Sequence, residues 1–199
     1  MIIDRNINQS PLYLTENKFK NYISMSGSTK NKMKIMPALL IIDVQNRYLS
    51  FIPPREKELA FFFINLLIDL FREHGFPIIR IYHSNMKNGP RPDTEEFEYP
   101  ESIKIKQDDN QIIKTYSDSF NKTKLNNFLK AKGCNTLFLC GLSAVGCVLA
   151  SRTGAQNHDY KAFIVKDAIM SHNSDYTKNV EAMFDAISFD AVKLILDNC

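Results

Sequence analysis

The chain lacks the features that would place it in a specialised class. Its four cysteines, at 134, 140, 147 and 199, fit no zinc-site spacing, and a chain of 199 residues has no need of a small disulfide scaffold. Free thiols in a reducing, cytoplasmic setting are therefore expected. No long apolar run is present: the most apolar stretch, Leu59 to Phe71, is too short to span a bilayer and is interrupted by Asn65 and Asp69. The first residues, Met1-Ile-Ile-Asp-Arg-Asn6, hold no apolar signal segment. Net charge is also scarce, at +3, and residues 1–34 account for it with six basic residues against Asp4 and Glu16. The remainder is near neutral, which argues against nucleic acid and membrane surfaces as partners. Internal repeats and low-complexity tracts are absent.

What is present is an alternation of apolar runs and amphipathic segments. Residues 1–35, rich in Asn, Lys and Ser, read as a polar basic extension, and the folded domain as 36–199. Ala38–Ile42 is a continuous apolar run, expected of a strand buried on both faces. Pro53-Pro54 opens a helix that Gly75 closes, and Pro77–Tyr82 is the next strand. Residues 84–110 form a long polar loop of the kind that often serves as a lid. Gln111–Lys114 is extended, and Thr123 to Gly133 is helical, with Thr123 as N-cap. A strand at 136–140, a helix at 148–157, a strand at 161–165, a helix at 175–187 and a last strand at 191–196 complete the pattern. This is a three-layer α/β fold with a mostly parallel sheet of about six strands.

In such sheets ligands bind outside the carboxyl ends of the strands. Three of those ends carry reactive side chains: Asp43 after the first run, Lys114 after the short piece at 111–113, and Cys147 beyond the run at 136–140. Cys147 falls near a helix start, where the local field favours a thiolate. A carboxylate at Asp43 can take the thiol proton if burial raises its affinity for one. Lys114 can hold that carboxylate in place, and backbone amides beside Cys147 can stabilise an oxyanion.

Three blocks carry a family resemblance: Leu39-Leu-Ile-Ile-Asp43-Val-Gln-Asn-Arg-Tyr48, then Lys114 with Phe120-Asn-Lys-Thr123-Lys-Leu125, and Leu139-Cys-Gly141-Leu-Ser-Ala-Val-Gly-Cys147-Val148. Together and in this order they resemble the isochorismatase-like cysteine hydrolases, a superfamily with a Rossmann-like sheet that includes nicotinamidases, N-carbamoylsarcosine amidases and ureidoacrylate amidohydrolases. The resemblance implies an Asp43–Lys114–Cys147 triad and a cis peptide between Leu142 and Ser143 that aims amides at the substrate oxygen. It also implies a homo-oligomer, dimer or tetramer. Gln45, Tyr48, His83, Tyr116 and Phe120 are candidates for the substrate pocket. Arg47 and Asp118 stand where many members have Asp and Ser, a change expected to alter the pocket rim.

Nicotinamidases carry an Asp-x-His element after the second strand. Here the region reads Ile81-Tyr82-His83-Ser84-Asn85, and one histidine does not make a metal site. No metal and no cofactor are expected. The expected function is hydrolysis of a C–N bond in a small amide, ureido or carbamoyl compound through a thioester. The alternatives are an isochorismatase-type enol-ether hydrolase and a catalytically silent family member acting as an interaction protein. The residues that choose the substrate are expected in the 84–110 loop and on a partner chain.

Overall fold

The apolar run after Met36 forms β1 (Pro37–Ile42), with all six residues buried. Alternation along the strand sends Leu39 and Ile41 into one core, and Ala38, Leu40 and Ile42 into another. Both faces of the sheet are therefore covered, which is why the run shows no polar alternation. The computed structural model describes residues 34–199; the extension read over 1–35 lies outside them but for its last two residues. No helix among the described residues is long and apolar enough to cross a membrane.

β2 (Ile78–His83), β3 (Asn110–Lys114), β4 (Thr136–Leu142) and β5 (Lys161–Met170) join β1 in one parallel sheet of order β3-β2-β1-β4-β5. Among the described residues six α-helices accompany the sheet: α1 (Asn46–Leu49) and α2 (Pro54–Glu73) between β1 and β2, α3 (Leu125–Ala131) between β3 and β4, α4 (Leu149–Asn157) between β4 and β5, and α5 (Ser174–Met183) and α6 (Phe189–Leu196) after β5. α2 buries Ala60, Ile64, Leu67, Ile68 and Phe71 at helical spacing, and packs with Val192 and Leu196 of α6 on one face of the sheet. Leu125 and Leu129 of α3, Ala155 of α4 and Val180 of α5 cover the other face. The result is the expected three-layer arrangement, with five strands.

The sixth strand is the main correction. Residues 191–196 are not extended but lie in α6, because Ser188 accepts a hydrogen bond from the Ala191 N–H at 3.3 Å and caps the helix. Val192 and Leu196 then fall on one buried face. β5 in turn runs five residues further than the apolar run at 161–165. Its register with β4 shifts between Leu139 and Gly141, Asp167 adopts φ 61°, and the chain resumes pairing at Ile169 and Met170. The helix read over 175–187 ends earlier, at Met183, and Ile187 forms an isolated parallel bridge to Val165.

The 84–110 segment is anchored to the domain through its second half. Phe97, Tyr99 and Ile103 are buried, Tyr82 stacks against Phe97 with centroids 4.9 Å apart, and Arg72 pairs with Asp109 at 2.8 Å. The Tyr99 hydroxyl sits 2.8 Å from Ile41 O and 2.7 Å from Ile81 O, wedged between the ends of β1 and β2. Asn46 N–H and Arg47 N–H donate to Glu98 O and Glu96 O.

The chain goes outward from β1 to β2 and β3, then returns to β4 and β5 on the other side. The direction of winding thus reverses between β1 and β4, the place where α/β sheets open a crevice. Ile42 pairs with Gly141 at this point. Gly141 has φ 109°, and a Cβ there would stand 2.2 Å from Ile42 O. Gly141→Ala is therefore expected to destabilise the fold by at least ~2 kcal/mol, read as a lower urea midpoint at unchanged slope. An unaltered midpoint would show that the two strands separate here without cost.

Candidate active site

The crevice at the β1–β4 switch point gathers the ends of four strands. Asp43 follows β1 directly, with φ 52°, a left-handed conformation that aspartate tolerates better than most residues. Its N–H donates to Ile81 O at 2.9 Å, which ties it to β2. Lys114 ends β3, two strands away, and its side chain crosses the end of β2 to reach Asp43. The Lys114 Nζ to Asp43 Oδ2 distance is 2.7 Å, and both side chains are almost wholly buried. Cys147 lies beyond β4 on a π-type turn, Ala144–Val148, kinked at Gly146 (φ −118°, ψ −106°). The turn brings Sγ to 3.2 Å from Lys114 Nζ.

Lys114 is the hub. Its ammonium contacts Asp43 Oδ2, Cys147 Sγ and, at 3.2 Å, His83 Nδ1. Three acceptors stand around a group with three N–H donors. The donor atoms of Asp43, His83 and Cys147 also lie within 4.8 Å of one another, a spacing suited to a metal ion. The ammonium already occupies contact distance to all three, so a cation would have to displace it. Asp43 Oδ1 is buried and accepts no hydrogen bond from a nitrogen or oxygen donor among the described residues, leaving one carboxylate oxygen open to a proton.

Electrostatics set the resting state of these groups. Burial raises the Asp43 carboxyl above its ordinary value, although Lys114 pulls it down. Burial, reinforced by the Asp43 charge, pushes the Cys147 thiol up to about 12, against the opposing pull of Lys114. Burial and the Asp43 charge favour the protonated thiol, where a helix start was expected to favour the thiolate; the helix proper begins at Leu149, beyond the kinked turn. Burial and Lys114 together lower His83.

A cavity of about 150 Å³ opens on this cluster, lined by Asp43, Tyr48, His83, Leu142, Ser143 and Cys147. The Leu142–Ser143 peptide in its wall is cis. A second, wider cavity of about 390 Å³ shares Tyr48, Leu142 and Ser143 and adds Phe51, Ile52 and His172. Phe51, Ile52 and His172 escaped the sequence reading, because no pattern marks which loop residues face a crevice.

Three of the pocket candidates lie elsewhere. Gln45 is fully buried and clamps neighbouring backbone: its amide donates to His83 O at 3.1 Å and Phe97 O at 2.9 Å, and accepts from His83 N–H at 2.8 Å. Tyr116 is exposed and takes a hydrogen bond from Lys122. Phe120 packs on His158 and Tyr160 in the core. Nor do the two unusual residues reach the rim of these cavities. Arg47 pairs with Glu96, and Asp118 accepts from Phe120 N–H while its carboxylate lies against Gly154. No residue of 84–110 lines either cavity, so the expected selector loop acts from behind, holding Asp43 and His83 in place.

Residues 37–189 match the isochorismatase domain family. An uncharacterised isochorismatase family protein of Bacillus subtilis, YddQ, is 32% identical over 140 residues, covering 66% of this chain and 76% of that protein. A maleamate amidohydrolase of Pseudomonas putida is 33% identical over a shorter stretch of 64 residues, 32% of this chain and 30% of that enzyme. Among solved structures, the N-carbamoylsarcosine amidase of Thermoplasma acidophilum superposes with TM-score 0.66 at 23% identity, covering 77% of this chain and 95% of that one.

The opposing pulls of Asp43 and Lys114 on the thiol have a measurable consequence. In Asp43→Asn the charge that raises Cys147 is removed while the ammonium stays. Its titration is expected to fall by roughly one unit or more, followed by thiolate absorbance across a pH series in a variant whose circular dichroism is native. A midpoint unchanged from the parent would show that Asp43 does not act on the thiol.

Proposed function

The chain belongs to the isochorismatase family, and from that premise we propose that it is a cysteine hydrolase that cleaves the C–N bond of a small amide, ureido or carbamoyl compound. The observation that carries this reading is the contact of one buried ammonium with both a carboxylate and a thiol at the mouth of a cavity. The amidohydrolase among its relatives supports the reaction class.

Each group has a role. The carbonyl carbon of the substrate sits over Cys147 Sγ. As sulfur attacks, the thiol proton passes to Asp43, whose buried carboxylate has a raised proton affinity and an oxygen open to accept. A thiol pushed up to about 12 requires such a base, because it is not spontaneously ionised. Lys114, 3.2 Å from Sγ, offsets the negative charge that sulfur gains and keeps Asp43 oriented. Amides of the 143–147 turn stabilise the oxyanion. The intermediate collapses as Asp43 returns the proton to the leaving nitrogen, the C–N bond breaks, and a thioester remains. Water then attacks the thioester with Asp43 again taking a proton, which goes to sulfur as the acid departs. No metal is required: Lys114 supplies the positive charge among the three possible ligands. A dimer or tetramer belongs to this reading, as the family resemblance implies.

The reading predicts ammonia release from at least one member of a panel of carbamoyl amino acids, ureido acids and simple amides. Cys147→Ala is expected to lose at least about 10³-fold in kcat/KM, and exhaustive dialysis against a chelator is expected to change nothing. Full activity in the alanine variant, or release of pyruvate from an enol ether instead of ammonia from any amide, would refute it.

The pH profile follows from Asp43. The active free enzyme carries Asp43 ionised, so kcat/KM rises with pH through its folded-state midpoint and is lost below it. Because burial raises that midpoint, the acid limb is expected above the ordinary carboxylate value of about 4. A limb at or below that value would show that Lys114 outweighs burial.

A further inference from the structure

The two cavities lie side by side, with Tyr48, Leu142 and Ser143 common to both walls, and together they carry a distinct charge pattern. The inner cavity holds Asp43 and the thiol. Among the described residues, no arginine and no lysine lines either cavity, and Lys114 reaches the site through its contacts with Asp43 and Cys147. The Lys114 ammonium is fully engaged by Asp43, His83 and Cys147, so no N–H of it remains for a substrate anion. The outer cavity presents Tyr48, Phe51, Ile52 and Leu142, with the Ser143 hydroxyl and the His172 ring as its polar features. The His172 ring stands edge-on to Tyr176, with centroids 5.3 Å apart.

A carboxylate placed in these cavities would leave water for an apolar wall, find no unpaired cation and face the Asp43 charge. A neutral group meets none of these costs. The inner cavity of about 150 Å³ has the liquid volume of roughly five waters, enough for an amide group and a short stem. The remainder of the molecule would lie on the outer apolar shelf.

We propose that the substrate is an uncharged amide whose amide group enters the inner cavity and whose apolar substituent lies along Tyr48, Phe51, Ile52 and Leu142. This rests on the reading of Cys147 as the nucleophile of an amide hydrolase. It sets the chain apart from an enzyme for maleamate, whose acid group carries a negative charge, and so from the amidohydrolase that it resembles over 64 residues.

Charge selection can be tested without turnover. Iodoacetamide and iodoacetate differ by one charge and alkylate the same sulfur, and the exposed Cys199 provides an internal reference on the same chain. The rates at each cysteine of the full chain are followed by peptide mass spectrometry. The iodoacetamide-to-iodoacetate rate ratio at Cys147 is expected to exceed that at Cys199 by roughly a hundredfold, the order for an unpaired charge in an apolar site. Hexanamide is expected to protect Cys147 from iodoacetamide, and hexanoate is not. Phe51→Arg, at a position exposed enough to accept the change, is expected to shift the alkylation ratio at least tenfold toward iodoacetate. Equal ratios at the two cysteines, protection by hexanoate as strong as by hexanamide, or a Phe51→Arg ratio unchanged from the parent would overturn the proposal. A neutral-selective Cys147 in a protein that hydrolyses no amide would sustain the charge selection and refute the amidase reading, so the two failures are distinguishable.

Discussion

The interaction on which the site depends is the buried pair of Lys114 and Asp43. An ammonium and a carboxylate cannot both leave water unless each finds the other in good geometry. Lys114 must therefore cross the end of β2, and Asp43 must turn toward it in a left-handed conformation. Both demands are met by a sheet whose three strands β3, β2 and β1 lie side by side and end together. Breaking such a pair by deleting one charge typically costs about 3–5 kcal/mol, because the other is stranded. The arrangement is thus rigidly specified, and the thiol inherits its surroundings from it.

The surroundings explain why the thiol is a poor acid. A cysteine between a carboxylate and an ammonium feels opposing fields, and burial tips the balance toward the protonated form. The carboxylate that raises the thiol is also the nearest base able to remove its proton. The raised proton affinity of Asp43 and that of Cys147 have the same main cause, desolvation.

Behind the crevice, the segment between β2 and β3 does structural work. Tyr99 places its hydroxyl between Ile41 O and Ile81 O, and Gln45 fastens His83 to Phe97. The Gln45 bonds satisfy backbone groups of His83 and Phe97. They hold the segment that carries Asp43 and the segment that carries His83 at a set separation. The length and polar composition of the 84–110 segment suggested a lid; the buried Phe97, Tyr99 and Ile103 show that its second half is part of the core.

The chain's own order of residues determined much of this protein. The apolar runs at 38–42 and 136–140, and the mostly apolar 78–82 with Arg80 in its middle, have the length and flanks of buried strands, and helical segments among them favour a parallel sheet. Asp43 and Cys147 come after two of those runs and Lys114 after the shorter piece at 111–113, so the shared edge of parallel strand ends made the three legible together. The last segment, 191–196, was read as a strand because short apolar runs do not distinguish strand from helix; the Ser188 cap and the Val192–Leu196 spacing settle it only once a surface exists for that face to cover. Tertiary structure alone decided the rest: that Tyr116 and Phe120 turn away, that Gln45 clamps backbone instead of substrate, and that Phe51, Ile52 and His172 line the wider cavity. The protonation state of Cys147 belongs to the same group. It is set by burial and by charges more than thirty residues distant along the chain, and neither quantity is written in local sequence.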